Sequence, residues 1–440
     1  MTKIDILIIG GGPAGIVASH LAKKINPKLK ILIVKKEKGI AIRCSEPYVI
    51  GEKVKLEDIV VPDEEMIQKA GIDLMIDEVI KIDHQDKKVY TKNKEEIVYD
   101  KLILATGANP FVPPIENTDL KNIFTLRDVR DTLDIFNTSK QASKALVVGG
   151  GAIGIELASL LKEKGLEVTI VEFMPHLVSG TYDEDFSKKV EKTLANQGIN
   201  LILKESVKSF QGKERVEKTI TSSGKEIKTD LVVISCGVRS EVKLAQEMGS
   251  KIGKFGIQVN KKMETSKNDV YACGDCAQAI SSITGKPCPS QLATTAVIQG
   301  KIAGMNAAEG NVEYQGVTNP AVSVIFDVAC GCVGLTEKLA QQENIDTLVG
   351  KADSFTRYTC HPGKKAISLK LIFNKENEQI IGAQIFGGEE GISQRINLLS
   401  LAIQNKLTRK DLASFHYCAH PELTPLPFAE PIVMATESAK

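Results

Sequence analysis

Cys44 stands in the string Arg-Cys-Ser-Glu-Pro-Tyr-Val-Ile-Gly, residues 43–51, and no second cysteine follows it within five residues. Such a thiol has no neighbouring cysteine with which to form a local disulfide, but its thiolate can attack sulfur on another molecule and pass through a mixed disulfide, a persulfide or a sulfenate. Arg43 and a helix N-terminus just beyond would both favour the thiolate. Two later strings bring histidine and tyrosine together: Arg-Tyr-Thr-Cys-His-Pro-Gly at 357–363 and Phe-His-Tyr-Cys-Ala-His-Pro-Glu-Leu-Thr-Pro at 415–425. The imidazoles there, His361 and His420, are of a type suited to proton transfer near neutral pH.

Two glycine-rich turns supply a second chemistry. Gly10, Gly12 and Gly15 fit the spacing G-x-G-x-x-G, with Pro13 and Ala14 inside the turn. Gly149, Gly151 and Gly154 repeat it, with Ile153 inside, about 140 residues later. In this pattern the three glycines turn the chain, admit a pyrophosphate and pack helix on strand. Glu172 closes the strand after the second turn and is placed to accept from an adenosine ribose. No arginine follows it, so NADH is expected there, with NADPH the second choice. At the matching place in the first copy stand Lys35 and Lys36, which cannot accept a hydrogen bond, and only Glu37 is near enough to substitute.

The elements that must position these residues follow from the pattern around each turn. Each is flanked by an apolar strand-like run before it, an amphipathic helix after it and a second apolar run. Further strand-like runs lie at 101–105, 230–235 and 322–326, with a β-rich stretch from 366 to 386. At 440 residues, 42% hydrophobic and 25% charged, the chain can form several globular domains. Formal net charge is +1, which leaves no excess of cations for a nucleic-acid backbone. The first apolar run, 4–9, is only a strand long, which argues against a signal peptide or membrane span. Nine cysteines form an odd set that suits a reducing compartment, and the expected location is cytoplasmic. Cys273 and Cys276 have C-x-x-C spacing without a second such pair, so no metal site is expected.

With Ala-Thr-Gly-Ala-Asn-Pro at 105–110 and Tyr-Ala-Cys-Gly-Asp-Cys-Ala at 271–277, these motifs stand in an order that resembles the FAD-dependent pyridine nucleotide-disulfide oxidoreductases along essentially the whole chain. The string Cys-Ser-Glu-Pro-Tyr-Val-Ile-Gly is similar to that of the single-cysteine branch, which holds coenzyme A disulfide reductases, NADH oxidases, peroxidases and sulfur reductases. The resemblance implies an α/β fold with two Rossmann-like domains and a C-terminal α+β dimerisation domain. The expected boundaries are FAD-binding at 1–112 and 246–318, NAD(P)H-binding at 113–245, and dimerisation at 319–440. It implies FAD at the first turn, helped by Glu37, Arg43, Thr106, Gly107 and Asp275. It implies the nicotinamide nucleotide at the second, helped by Glu156, which would hold the nicotinamide near the flavin, and by Gly237.

The expected chemistry runs from NADH through FAD to the sulfur of Cys44, which attacks a disulfide or polysulfide. A homodimer with shared active sites is expected, with His420, Tyr417 or His361 of one subunit serving the other. His361 and His420 fall close to where the disulfide reductases place tyrosines, beside Tyr358 and Tyr417. The string Ala-His-Pro-Glu-Leu-Thr-Pro at 419–425 also resembles the His-Pro segment of dihydrolipoamide dehydrogenases, whose histidine shuttles protons to the thiols, with Pro425 where that pattern has the glutamate that orients it. Pro13 stands where peroxidases and oxidases of the branch carry a histidine, which argues against peroxide. Lys23, Lys24, Lys28 and Lys30 suit the phosphates of coenzyme A, though a solvated face explains them equally. An NADH oxidase acting on oxygen and a flavoprotein subunit serving a protein partner are the alternatives.

Overall fold

The computed structural model describes residues 3–62 and 64–440. By internal packing the chain divides into two units: Met1–Arg43, Leu56–Pro110 and Val238–Val317 form the first, and Cys44–Lys55, Phe111–Gly237 and Thr318–Lys440 the second.

The first unit is built on a parallel sheet in the order Asp73–Ile76, Ile31–Lys35, Lys3–Ile9, Glu96–Leu104, with Val270–Ala272 also parallel to Glu96–Leu104. Ile31–Lys35 and Val270–Ala272 are buried along their whole length, as strands covered on both faces require. Lys88–Thr91 and Val79–Asp83 extend this sheet in antiparallel fashion. Helix Pro13–Ile25 lies against helix Ala293–Ala307 at a separation that only small residues allow. A Cβ on Gly300 would stand 2.3 Å from the Ala14 carbonyl oxygen, and one on Gly304 2.1 Å from that of Ala18.

The second unit holds another parallel sheet, in the order Ile123–Thr125, Leu231–Ile234, Lys144–Val148, Glu167–Glu172, Asn200–Leu203. Beside it is an antiparallel sheet in the order Ala321–Ile325, Val328–Gly334, Ile380–Gly388, Ala366–Asn374, Thr347–Phe355. The residues just before helix Glu184–Asn196 join the two. Tyr182 is buried against the thiols of Cys330 and Cys332. Asp183 receives the Gln384 side-chain amide at 2.6 Å and the ammonium of the buried Lys370 at 3.3 Å. Lys370 also reaches Asp185 at 2.5 Å and Glu337 at 2.7 Å, so its charge is met where water cannot reach.

The α/β architecture with two dinucleotide-binding folds and a C-terminal α+β domain is therefore present. Packing differs from the expected boundaries in two places. Val238–Ser240 pairs with Ala108–Pro110, so the chain is back in the first unit at Val238 rather than at 246. The segment Cys44–Lys55 packs with the second unit although it lies inside the first expected FAD-binding stretch. No helix among the described residues is long and apolar enough to cross a membrane.

Candidate active site

In the first unit three motif segments converge. Gly10 has φ +113, and a Cβ there would lie 2.1 Å from the carbonyl oxygen of Ala105. Gly15 would meet the Gly10 oxygen at 2.1 Å, and Gly274 would meet the Ala14 methyl at 2.9 Å. Gly12 alone faces open space, with no atom within 4 Å of a Cβ built on it. It caps helix Pro13–Ile25, whose first turn holds Pro13 and Ala14 and no acid, an arrangement open to an anion. Thr106 and Gly107 follow Ala105: the Thr106 hydroxyl donates to Glu241 O at 2.7 Å, and Gly107 has φ +74. The turn bearing Asp275 is held by Gly274 N–H donating to Gln299 Oε1 at 2.9 Å and by the Ser240 hydroxyl donating to Asp275 O at 2.6 Å.

The ribose position of this unit is more crowded. Lys35 ends its strand buried, its ammonium donating to Gly39 O at 2.6 Å and its stem lying over Gly11. Glu37 is engaged by Arg43 at 3.2 Å, so two expected site residues partner each other.

The second turn repeats the division of labour. Gly149 has φ +103 and would meet Ser235 O at 2.7 Å, Gly154 would meet Gly149 O at 2.1 Å, and Gly151 faces open space. Gly151 caps helix Ala152–Glu163, whose first turn again lacks an acid. Glu172 takes Gly150 N–H at 2.6 Å and Met174 N–H at 2.7 Å, so both oxygens are oriented while each keeps a lone pair for a ribose hydroxyl. Ile153 and Phe173 are exposed beside the turn, and Gly237, with φ +89, also has open space about it. Glu156 turns its carboxylate to Val324 N–H at 3.2 Å and to the Ser323 hydroxyl. Burial pushes its pKa up to about 7 against the pull of those two hydrogen bonds. Burial also raises the Tyr48 phenol, and the carboxylates of Glu156 and Glu389 add to the rise.

Cys44 is exposed in the single turn Arg43–Ser45 that leads into helix Glu46–Ile50. The two C-terminal strings meet where Tyr358 N–H donates to Pro421 O at 3.0 Å. Tyr417 donates its hydroxyl to Pro427 O at 2.6 Å. The exposed His420 accepts Glu422 N–H at Nδ1, 3.3 Å away, which places the proton of a neutral ring on Nε2. His361 is bound to Tyr358 O through its backbone at 2.9 Å.

Residues 4–300 match the family described as pyridine nucleotide-disulphide oxidoreductase, and residues 320–427 match that family's dimerisation domain. The chain belongs to this oxidoreductase family. A relative from Methanocaldococcus jannaschii named NADH oxidase is 39% identical over 443 residues, covering 98% of both chains. One from Pyrococcus abyssi named NAD(P)H sulfur oxidoreductase (CoA-dependent) is 34% identical, covering 93% of this chain and 92% of its own. The structure of an NAD-dependent persulfide reductase from A. fulgidus superposes with a TM-score of 0.94 at 30% identity, over 99% of this chain and 82% of that one.

This oxidoreductase is thus an FAD-dependent enzyme that takes electrons from NAD(P)H. Both cofactors fit the residues present, because each motif leaves open the one glycine that must admit a pyrophosphate and keeps acids from the helix start that would face it. Gln299 and Ser240, which hold the Asp275 turn of the oxidoreductase, were not among the expected residues. No local pattern marks either, since each acts on a turn more than twenty positions away.

Proposed function

We propose that the chain reduces the sulfur–sulfur bond of a small disulfide or polysulfide with NADH, through Cys44 as nucleophile. The place of Cys44 carries this reading: it is exposed in the turn that opens helix Glu46–Ile50, whereas the other exposed thiols, Cys360 and Cys418, lie in the strings that hold His361 and His420. Burial holds five other thiols above the range useful at neutral pH: Cys236 and Cys330 at about 11, Cys332 at about 12, and Cys273 and Cys276 also raised.

The Cys44 thiolate attacks one sulfur of the substrate, a Cys44–sulfur bond forms, the substrate's sulfur–sulfur bond breaks, and the leaving thiolate takes a proton. His420 Nε2 or the Tyr417 hydroxyl, from the second subunit of a homodimer, supplies that proton, with His361 close by in the adjoining string. Two electrons from NADH then split the mixed disulfide, returning Cys44 as thiolate and releasing the second thiol with one further proton. Bound FAD supplies the two-electron link between nicotinamide and sulfur, held by Gly10, Gly12, Gly15, Thr106, Gly107 and Asp275. Glu172, with no arginine after it, favours NADH over NADPH.

Coenzyme A disulfide is the first substrate to try, because a relative's name includes coenzyme A dependence. Lys24, Lys28 and Lys30 are exposed for its phosphates, while Lys23 is engaged with Leu29 O at 2.8 Å. Reduction of oxygen is the second reading, favoured by the name of the M. jannaschii relative. NADH oxidation should be followed with coenzyme A disulfide, polysulfide, peroxide and oxygen, for the parent chain and for Cys44→Ser. Disulfide-dependent turnover that vanishes in Cys44→Ser, with FAD retained, is the expected result. Turnover that persists in Cys44→Ser, or that needs oxygen alone, would overturn the reading.

A further inference from the structure

A helix of five residues does not hold its own shape in water, so Glu46–Ile50 must be fixed by what it packs against. Ile50 is wholly buried in the core of the second unit, among residues such as Ile135, Leu157 and Leu161. Gly51 lies on Leu160: a Cβ there would stand 2.7 Å from Leu160 Cδ2 and 3.0 Å from its Cβ. Two of the residues in the cysteine string, Ile50 and Gly51, therefore do their work against helix Ala152–Glu163.

The end of that helix supplies the remaining restraint. Lys164, its C-terminal cap, is only 11% exposed. Its ammonium donates to Ile50 O at 3.0 Å and to the Ser139 hydroxyl at 2.9 Å, and meets the Glu52 carboxylate at 3.1 Å. The Phe136 ring lies 5.0 Å away, and Lys53 adds a pair with Glu163 at 2.9 Å. Ile50 O is one of the carbonyls that a helix end leaves without an internal partner, and a cation there meets both the oxygen and the local negative charge. Glu52 is also held at φ +59, a left-handed conformation that persists in a non-glycine residue only when its surroundings fix it.

We propose that Lys164 is a positioning residue for Cys44, holding the segment that carries the thiol against the helix that begins at the second glycine turn. The proposal rests on Cys44 as the redox residue for its catalytic consequence, but not for its structural one. The same helix carries Gly151, Gly154 and Glu156 at or near its start, so one rigid element sets the place of the nicotinamide turn and of the cysteine segment. Lys164 would act through Ile50 O, Glu52 and Ser139, which its ammonium meets, and not as an acid or base of the reaction.

The test compares Lys164→Met, Lys164→Arg and Gly51→Ala with the parent holoenzyme. In each, Cys44 alkylation by iodoacetamide is followed against pH by peptide mapping, beside melting temperature, flavin reduction by NADH and disulfide turnover. Lys164→Met should reduce FAD at the parent rate, show a displaced Cys44 alkylation profile, and lose disulfide turnover by about 10- to 100-fold, the scale set by misplacing a reacting group by about 1 Å. Lys164→Arg, which keeps the cation and its donors, should recover most of that loss. Gly51→Ala, which keeps Lys164 and pushes the segment off Leu160, should move both readouts as Lys164→Met does, and it decides the matter if Lys164→Met does not fold. A lower melting temperature with unchanged alkylation profile and turnover in the folded variants would overturn the proposal. Turnover that survives Cys44→Ser would instead count against the functional reading, while the alkylation profile still reports on Lys164.

Discussion

Glu156 accepts the backbone N–H of Val324 at 3.2 Å, so the helix of the second glycine turn is tied to the first strand of the antiparallel sheet through a carboxyl group that burial makes reluctant to ionise. Its pKa stands at about 7 in the folded chain against 4.5 in the unfolded one. A carboxyl raised in this way favours the fold fully below its unfolded value and loses that contribution as pH rises through 7. Glu156→Gln keeps an oxygen for Val324 N–H without the charge. Its melting temperature should exceed the parent's at pH 8 and the gap should be mostly closed at pH 5, the stability difference being at most about 3 kcal/mol. Parallel melting curves across that range would mean that the carboxylate is ionised throughout.

The glycines of one motif should separate into two classes when replaced. Gly12→Ala adds a methyl to open space, so the protein without cofactor should melt as the parent does while FAD retention falls by at least about tenfold. Gly15→Ala drives a methyl into Gly10 O, 2.1 Å away, and should lower the melting temperature even without cofactor. Fluorescence titration of FAD and paired thermal melts distinguish the two, and equal behaviour would refute the division.

Nucleotide preference should follow Glu172. The kcat/KM for NADH should exceed that for NADPH by about tenfold or more, equivalent to about 1.4 kcal/mol. Glu172→Ala should narrow the ratio and also loosen the turn, because the carboxylate holds Gly150 N–H and Met174 N–H. A parent enzyme that prefers NADPH would show that other residues read the phosphate.

The shared site can be tested by mixing chains. Cys44→Ser and His420→Ala homodimers should each be inactive toward disulfide. Random exchange makes half the dimers mixed with one intact site each, so activity should return to roughly a quarter of the parent level. No recovery after demonstrated exchange would place His420 in its own chain's site or outside catalysis.

The features legible in the sequence are those whose cause is local. The spacing alone gives Gly10, Gly12 and Gly15 three separate tasks, and Gly149, Gly151 and Gly154 repeat them; Gly15 and Gly154 are closed off by the Gly10 and Gly149 oxygens five residues before them, while Gly10 and Gly149 are closed off by Ala105 O and Ser235 O, which no local pattern shows. Glu172 was equally legible as the acid closing the next strand. The seat of Cys44 was not. Ile50 and Gly51 are set by Leu160 and Lys164, more than a hundred positions away, and nothing within the cysteine string distinguishes a residue that faces substrate from one that grips a distant helix. The same distance hid the partnership of Glu156 with Ser323 and Val324. Lys35 shows a third case: its type ruled out a ribose acceptor, but only the fold reveals that its stem covers Gly11.

The distribution of thiols makes the chain a recorder of its own unfolding. Cys44, Cys360 and Cys418 are exposed, whereas Cys273 and Cys276 are sealed in the first unit and Cys330 and Cys332 in the second. A thiol reagent added to the native protein labels the exposed group first, and each sealed pair reacts only when its own unit opens. Mapping which pair is modified earlier, under mild denaturant or heat, therefore reads the order in which the two units come apart, with no engineered probe in either.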